Sequence, residues 1–262
     1  MLPLPCHRSR RGHPDVFLIS ERRPARVVHG ALSSSTLRTE TIIQMLTSAT
    51  AWLTGGGIDA FMAWVIYRDL PTWSHILDDK GAAHIARRVL AGTSDLVDMA
   101  DTIYMPTWMV GPIVKSFAAA TDAANSPHCL APGYKFAMQH AEHKTAIVHL
   151  GSHWVVFDLC ESEATLSAYD WMTKAMVLHE HAERFLHFLA VLLEDSKYLA
   201  YKVIIHDATS LPSLPHETDS CSCGVFASVF LYHRFKGAKV HFAQGQMLSW
   251  RLFMLHNILA LR

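Results

Sequence analysis

Charge is scarce in this sequence. Only 18% of the 262 residues are Asp, Glu, Lys or Arg, and 23 basic residues balance 23 acidic ones. A chain with no basic excess lacks the field that gathers nucleic acid, so no such partner is expected. Long apolar runs are also missing. None reaches the ~18 residues of a membrane-spanning helix, and Phe17-Leu18-Ile19 is too short for a signal-peptide core. Neither membrane nor export is therefore expected. Cysteine is sparse and odd in number, five at irregular spacing. That excludes a secreted disulfide framework and points to a reducing, intracellular compartment, cytoplasm or nucleus. Cys221-Ser222-Cys223 with His216 nearby hints at zinc, but no second Cys or His pair lies at structural-zinc spacing. No metal and no other cofactor is expected.

Half of the residues are hydrophobic, enough for one large core. Residues 1–41 carry basic clusters and a polar tract, Ser33-Ser34-Ser35-Thr36, and read as a disordered arm. Residues 42–262 read as one domain. Gly55-Gly56-Gly57 should break any helix, with a new one from Ile58 to about Asp69. Helices are expected over Ala82–Leu90, Ile113–Ala124, Ala175–Leu193 and Met247–Leu261. Strands are expected at Ile103–Pro106, Tyr134–Met138, Thr145–Leu159, Thr165–Asp170 and Tyr201–Ile205. This order, helices first and then a mostly antiparallel sheet with further helices, is α+β.

The chemistry concentrates in Pro215-His216-Glu217-Thr218-Asp219-Ser220-Cys221-Ser222-Cys223-Gly224. The apolar run Val225 to Tyr232 follows and reads as a buried helix. A cysteine at the start of a helix sits at the positive end of its dipole, which favours the nucleophilic thiolate. Cys223 is thus the candidate nucleophile, against the alternative of an inert buried thiol. A nucleophile needs a base, and the base an orienter. His153 and Asp170 can lie on neighbouring antiparallel strands at one end of the sheet, within reach of an Asp–His hydrogen bond.

These residues resemble those of the ubiquitin-like-protein-specific cysteine proteases, the SUMO proteases, whose wider clan includes the adenovirus protease. Trp52-Leu53-Thr54-Gly55-Gly56-Gly57-Ile58-Asp59 is similar to the family's opening Trp-Leu-x-Asp-x-x-Ile-Asn box. His153-Trp154 resembles its catalytic His-Trp pair, and Tyr169-Asp170 the segment with the triad aspartate. Pro215 to Gly224 resembles its Pro-Gln-Gln box ending in Asp-Cys-Gly. The resemblance runs from about Ala51 to the C-terminus. It implies a papain-like fold, catalytic residues His153, Asp170 and Cys223, and a channel for a glycine tail between Trp52 and Trp154. The implied partner is a ubiquitin-like protein, SUMO-like first, cleaved after its C-terminal glycine for maturation or deconjugation.

Glu217 stands where the family has the oxyanion-hole glutamine, and an ionised carboxylate there would repel the oxyanion and slow the reaction, unless burial keeps it protonated and able to donate its O–H or it turns away and leaves backbone N–H groups to act alone. Gly55 replaces an aspartate that holds the partner's tail, and Ser222 the aspartate before the nucleophile. The residues leave three readings open: an active peptidase, a catalytically weak binding module for ubiquitin-like proteins, and a mobile-element or viral protease on the same fold.

Overall fold

Three central strands carry side chains that are buried on both faces. In the computed structural model the described residues are 27–29, 39–66, 75–76, 102–125, 135, 138–172, 175–207, 210–211 and 214–259. Within them the strands are β1 (Val27–His29), β2 (His75–Ile76), β3 (Thr102–Met105), β4 (His143–His149), β5 (Trp154–Cys160), β6 (Thr165–Tyr169) and β7 (Lys202–His206). Every residue of β5 is buried, which requires cover on both sides of the sheet. Along β5 the residues alternate. Trp154 and Val156 join one core, and Val155, Phe157 and Leu159 join the other, as the two-residue period of a strand demands.

The sheet order is β2-β1-β3-β4-β5-β6-β7. β4, β5 and β6 form an antiparallel meander, with His149 opposite Trp154 and Val156 opposite Tyr169. The α+β class is as expected, but the antiparallel expectation holds only for this centre. β3 pairs parallel with β4, β7 with β6, and β1 with both β2 and β3. The chain runs from β3 to β4, and from β6 to β7, through helices, and such crossovers bring strands back in the same direction.

The helices are α1 (Thr39–Thr47), α2 (Gly55–Trp64), the short α3 (Thr107–Val110), α4 (Phe117–Ala124), α5 (Ala175–Leu193), α6 (Cys223–Phe235) and α7 (Met247–Leu259). α5 covers one face of the sheet through Leu178, Phe185, Phe188 and Leu189. α2, α6 and α7 cover the other. None of the described helices is long and apolar enough to cross a membrane.

Several expectations are corrected. Gly55-Gly56-Gly57 opens α2 instead of breaking it, because Thr54 caps the helix by accepting the Gly57 N–H at 3.3 Å. The long strand expected to Leu159 is a hairpin, turned at Gly151, whose φ of +82° suits glycine. The helix expected from Ile113 splits into a 3₁₀ turn, Gly111–Val114, and α4, which Ser116 caps by accepting the Ala119 N–H. Met138, expected at the end of a strand, lies in a helical turn. Within the expected arm, Val27–His29 adds a strand to the sheet and Thr39 opens α1. The rest of that arm and the helix expected over Ala82–Leu90 lie outside the described residues.

Candidate active site

Cys223 is the first residue of α6. The loop before it is held by Asp219, whose Oδ1 accepts the N–H groups of Cys221 at 2.9 Å and Ser222 at 2.8 Å. Oδ2 accepts the Ser222 hydroxyl at 2.8 Å and the Gln244 side-chain amide at 2.5 Å. Burial pushes the Asp219 carboxyl up, but these donors outweigh it and hold it at about 2. Arg251 of α7, fully buried, donates to the carbonyls of Met45 and Cys221 at 3.0 and 2.9 Å. It pins the same loop from behind.

The β4–β5 hairpin delivers His153 to Cys223. His153 Nε2 meets Asp170 Oδ1 at 2.6 Å, and both residues are buried. Asp170 is fixed in turn by its N–H to the His206 carbonyl and by the Met172 N–H on its Oδ1. Below it, Tyr169 and Trp171 pack on Phe230 of α6 with ring centroids 4.6 and 5.1 Å apart. The end of β6 and the nucleophile helix are therefore one packed unit. One polar atom from each of His153, Glu217 and Cys223 lies within 4.8 Å of the others. His153 Nε2 is engaged by Asp170, which leaves Nδ1 for the cysteine side. That Nδ1 is buried and has no hydrogen-bond partner.

Glu217 is 3% exposed. Its N–H donates to the Trp171 carbonyl at 3.1 Å, and its Oε1 accepts the Ser222 N–H at 3.0 Å. Oε2 is buried without a partner. Burial first, then hydrogen bonding to the Asp219 carboxylate and its charge, push the Glu217 carboxyl up to about 8 against the pull of the Ser222 and Cys223 N–H groups. The carboxylate expected beside the nucleophile is therefore a neutral acid at neutral pH. The thiol itself is pushed the other way from the helix-dipole expectation. Burial, and then the charge of Glu217, push the Cys223 thiol up to about 12, and nearby backbone N–H groups offset only part of this. The second push exists only while Glu217 is ionised. Burial is thus the main push on the thiol while Glu217 is neutral.

Beside this cluster lies a groove of about 550 Å³, lined by Trp52, Leu53, Thr54, Gly55, His149, Gly151, Ser152 and Trp154. Both expected channel tryptophans border it. Trp52 is exposed and Trp154 buried, its Nε1–H donating to the Leu53 carbonyl at 3.1 Å. The groove adjoins the nucleophile helix through Gly224. A Cβ there would stand 3.0 Å from the Leu53 Cβ and 3.1 Å from Trp154 Cδ1. Gly55 is fixed more tightly still, because a Cβ would stand 2.3 Å from Thr107 Oγ1. An aspartate at this position would not fit without moving Thr107.

Sequence reasoning missed His149, whose ring packs on Trp154 at a 45° tilt with centroids 4.5 Å apart. Its signal was the hairpin: once Gly151 is the turn, His149 falls opposite Trp154. It also passed over Asp219 and Gln244, whose roles depend on a contact across 25 residues.

No family model matches the chain, and no curated protein matches it in sequence. Solved structures do match. The C-terminal Ulp1 protease domain, solved in complex with SMT3, the yeast ortholog of SUMO, is 12% identical, with a TM-score of 0.53 over 83% of this chain and 80% of that one. The SUMO protease Ulp1 with its catalytic cysteine oxidised to a sulfonic acid is 11% identical, with a TM-score of 0.55 over 85% and 94%. The fold resembles that of a SUMO protease. The Ulp1-like SUMO protease catalytic domain of Chaetomium thermophilum extends the likeness at 13% identity, with a TM-score of 0.50 over 81% and 74%. At such identities the likeness establishes the fold alone.

Proposed function

We propose that the chain is a cysteine peptidase that cleaves after the C-terminal glycine of a ubiquitin-like protein, SUMO-like first, in a reducing intracellular compartment. The observation that carries this reading is the convergence of His153, held by Asp170, with the thiol at the start of α6. Asp170 keeps the proton on Nε2, so Nδ1 presents its lone pair to Cys223. As Cys223 Sγ attacks the glycine carbonyl, its proton passes to Nδ1, and His153 then delivers it to the leaving amine. Water hydrolyses the thioester, with His153 as base. The developing oxyanion faces the Cys223 N–H and Glu217, which as a neutral acid can donate its O–H. Trp52 and Trp154 border the groove that would take the tail, and a narrow passage between indoles admits glycine alone.

The test is a panel of ubiquitin-like proteins carrying C-terminal electrophiles. A covalent adduct at Cys223 that is lost in Cys223→Ser and kept in Cys221→Ser is the expected result. One observation favours a second reading, a binding module: the thiol is 1% exposed and pushed up to about 12. Tight binding of one panel member with no adduct would select it.

A further inference from the structure

The cluster at the head of α6 has a second chemical capacity. His153 Nδ1 and Glu217 Oε2 are both buried, and both lack a hydrogen-bond partner. Orphaned buried polar atoms are rare, and each calls for something to complete it. One ring nitrogen of His153, one carboxylate oxygen of Glu217 and Cys223 Sγ lie within 4.8 Å of one another. From these orphans we infer that the site also takes a borderline divalent cation, Zn²⁺, on His153 Nδ1, Glu217 Oε2 and Cys223 Sγ, and that the ion blocks the thiol reversibly. The block, though not the binding, rests on the peptidase reading above.

Four physical points favour the ion. The donor set is that of a zinc site with one position left for water. The remaining polar atom of two of the ligands is already held from behind: Asp170 Oδ1 takes His153 Nε2, and the Ser222 N–H takes Glu217 Oε1. Such outer contacts fix the tautomer and aim the ligand atoms. Charge also balances. A thiolate and a carboxylate bound to Zn²⁺ together neutralise it, so the bound group carries no net charge into a buried place. Bond lengths of ~2.0–2.3 Å put tetrahedral ligand atoms roughly 3.5 Å apart, so the three side chains need draw in by only about 1 Å.

The site depends on the residue by which this chain departs from the family it resembles. A glutamine at position 217 would offer a neutral amide, a far poorer ligand than a carboxylate. It was also invisible to spacing rules, because its ligands come from the β4–β5 hairpin, the Glu217 loop and the head of α6. Of His216, Cys221 and Cys223, the residues that first hinted at zinc, only Cys223 is in the group. The other such group among the described residues, Glu142, His143 and Cys160, is already engaged. Cys160 Sγ and the Ser162 N–H donate to Glu142 Oε1, and His143 meets Asp158.

Co²⁺ is the probe, because it occupies zinc sites and reports thiolate ligation by its colour. Titrated into the full-length protein, with a reductant that does not bind metal, it should give one tetrahedral site with a thiolate charge-transfer band, displaced by Zn²⁺. Cys223→Ser should abolish the band. Glu217→Gln should weaken binding at least about tenfold, and Cys160→Ser should leave it unchanged. Far-ultraviolet circular dichroism of each variant checks that it is folded. One equivalent of Zn²⁺ should also protect Cys223 from iodoacetamide, and EDTA should restore labelling. No band in the wild type, a band that survives Cys223→Ser, or one lost in Cys160→Ser overturns the site. The electrophile panel separates the two readings. Adduct formation without a cobalt band sinks the metal site alone, and a cobalt band without adducts sinks the peptidase alone.

Discussion

Two buried acids, Asp59 and Glu217, are almost equally hidden, at 5% and 3% exposure, yet they are finished differently. Asp59 of α2 accepts the Tyr104 hydroxyl at 3.0 Å, the Thr107 N–H at 2.9 Å and the Thr107 hydroxyl at 2.8 Å. Both of its oxygens are used, and it bolts α2 to the junction of β3 and α3. Glu217 has one oxygen served by the Ser222 N–H and the other served by nothing. Burial alone therefore does not mark a functional acid. A carboxyl whose acceptors are all filled is a joint, and one with an orphan oxygen facing a thiol and an imidazole is a site.

The contrast predicts that breaking the His153–Asp170 pair alters rate and spares stability, while breaking the joint does the reverse. The largest effect belongs to the site. Asp170→Asn releases the tautomer that keeps Nδ1 unprotonated, and turnover of the best panel substrate should fall ~10⁴-fold. The melting temperature should move little, because an amide fills the same space. Steady-state kinetics beside a thermal melt checks both halves. A variant that keeps its rate would remove Asp170 from the machinery.

The joint comes next. Asp59→Ala strands the Thr107 N–H and two hydroxyls in a buried place, and should cost about 3–5 kcal/mol. Urea unfolding would measure it, and the fraction still folded should turn over substrate at close to the wild-type rate. A stability loss under about 1 kcal/mol would show that these three donors find water instead, and that Asp59 is no joint.

Much of the site was legible in the sequence, and the joint was not. Cys223, His153 and Asp170 could be found because the chemistry restricts residue types at helix starts and strand ends. Trp52 and Trp154 came with the resemblance, and both border the groove. Asp59 was read only as the end of a box, because its partners Tyr104 and Thr107 lie 45 and 48 positions away. Nothing local announces such a contact. The Gly151 turn was hidden inside an apolar run that looked like one strand. The parallel edges of the sheet follow from crossovers, which periodicity does not encode. The neutral state of Glu217 needed its burial and the nearness of Asp219, both of which belong to the folded loop.

A smaller effect separates the two acids by pH. Both have folded-state values raised above their ordinary ones, Asp59 from 3.8 to about 6 and Glu217 from 4.5 to about 8. For each, burial of the neutral form contributes stability that is whole below the unfolded value. It is lost as pH rises through the folded value. The two windows are therefore about pH 4–6 for Asp59 and about pH 4.5–8 for Glu217. Glu217→Gln removes the upper step only. Melts taken with chelator present should show the variant gaining on the wild type from pH 5 to pH 9, by about 4 kcal/mol at the top. Parallel melting curves across that range would mean Glu217 is ionised throughout or reaches water.

The smallest effect concerns rate. An ionised Glu217 would have made Glu217→Gln faster at neutral pH, by roughly tenfold or more, a fraction of what a lost oxyanion donor costs. The buried acid changes that expectation. At pH 7 a neutral carboxyl offers an O–H where glutamine offers an N–H, so the two proteins should turn over within about threefold of each other. Above pH 8 the carboxyl ionises, loses its donor and repels both the thiolate and the oxyanion. The wild type should then slow while the variant continues to rise as its thiol titrates. The kcat/KM profile of the wild type should accordingly bend downwards near pH 8, and that of Glu217→Gln should not. A profile with the same alkaline limb in both proteins would assign that limb to another group and place Glu217 outside the oxyanion's reach. A gain of tenfold or more at pH 7 would mean that the carboxyl is ionised there, and that Asp219 and burial do not hold its proton.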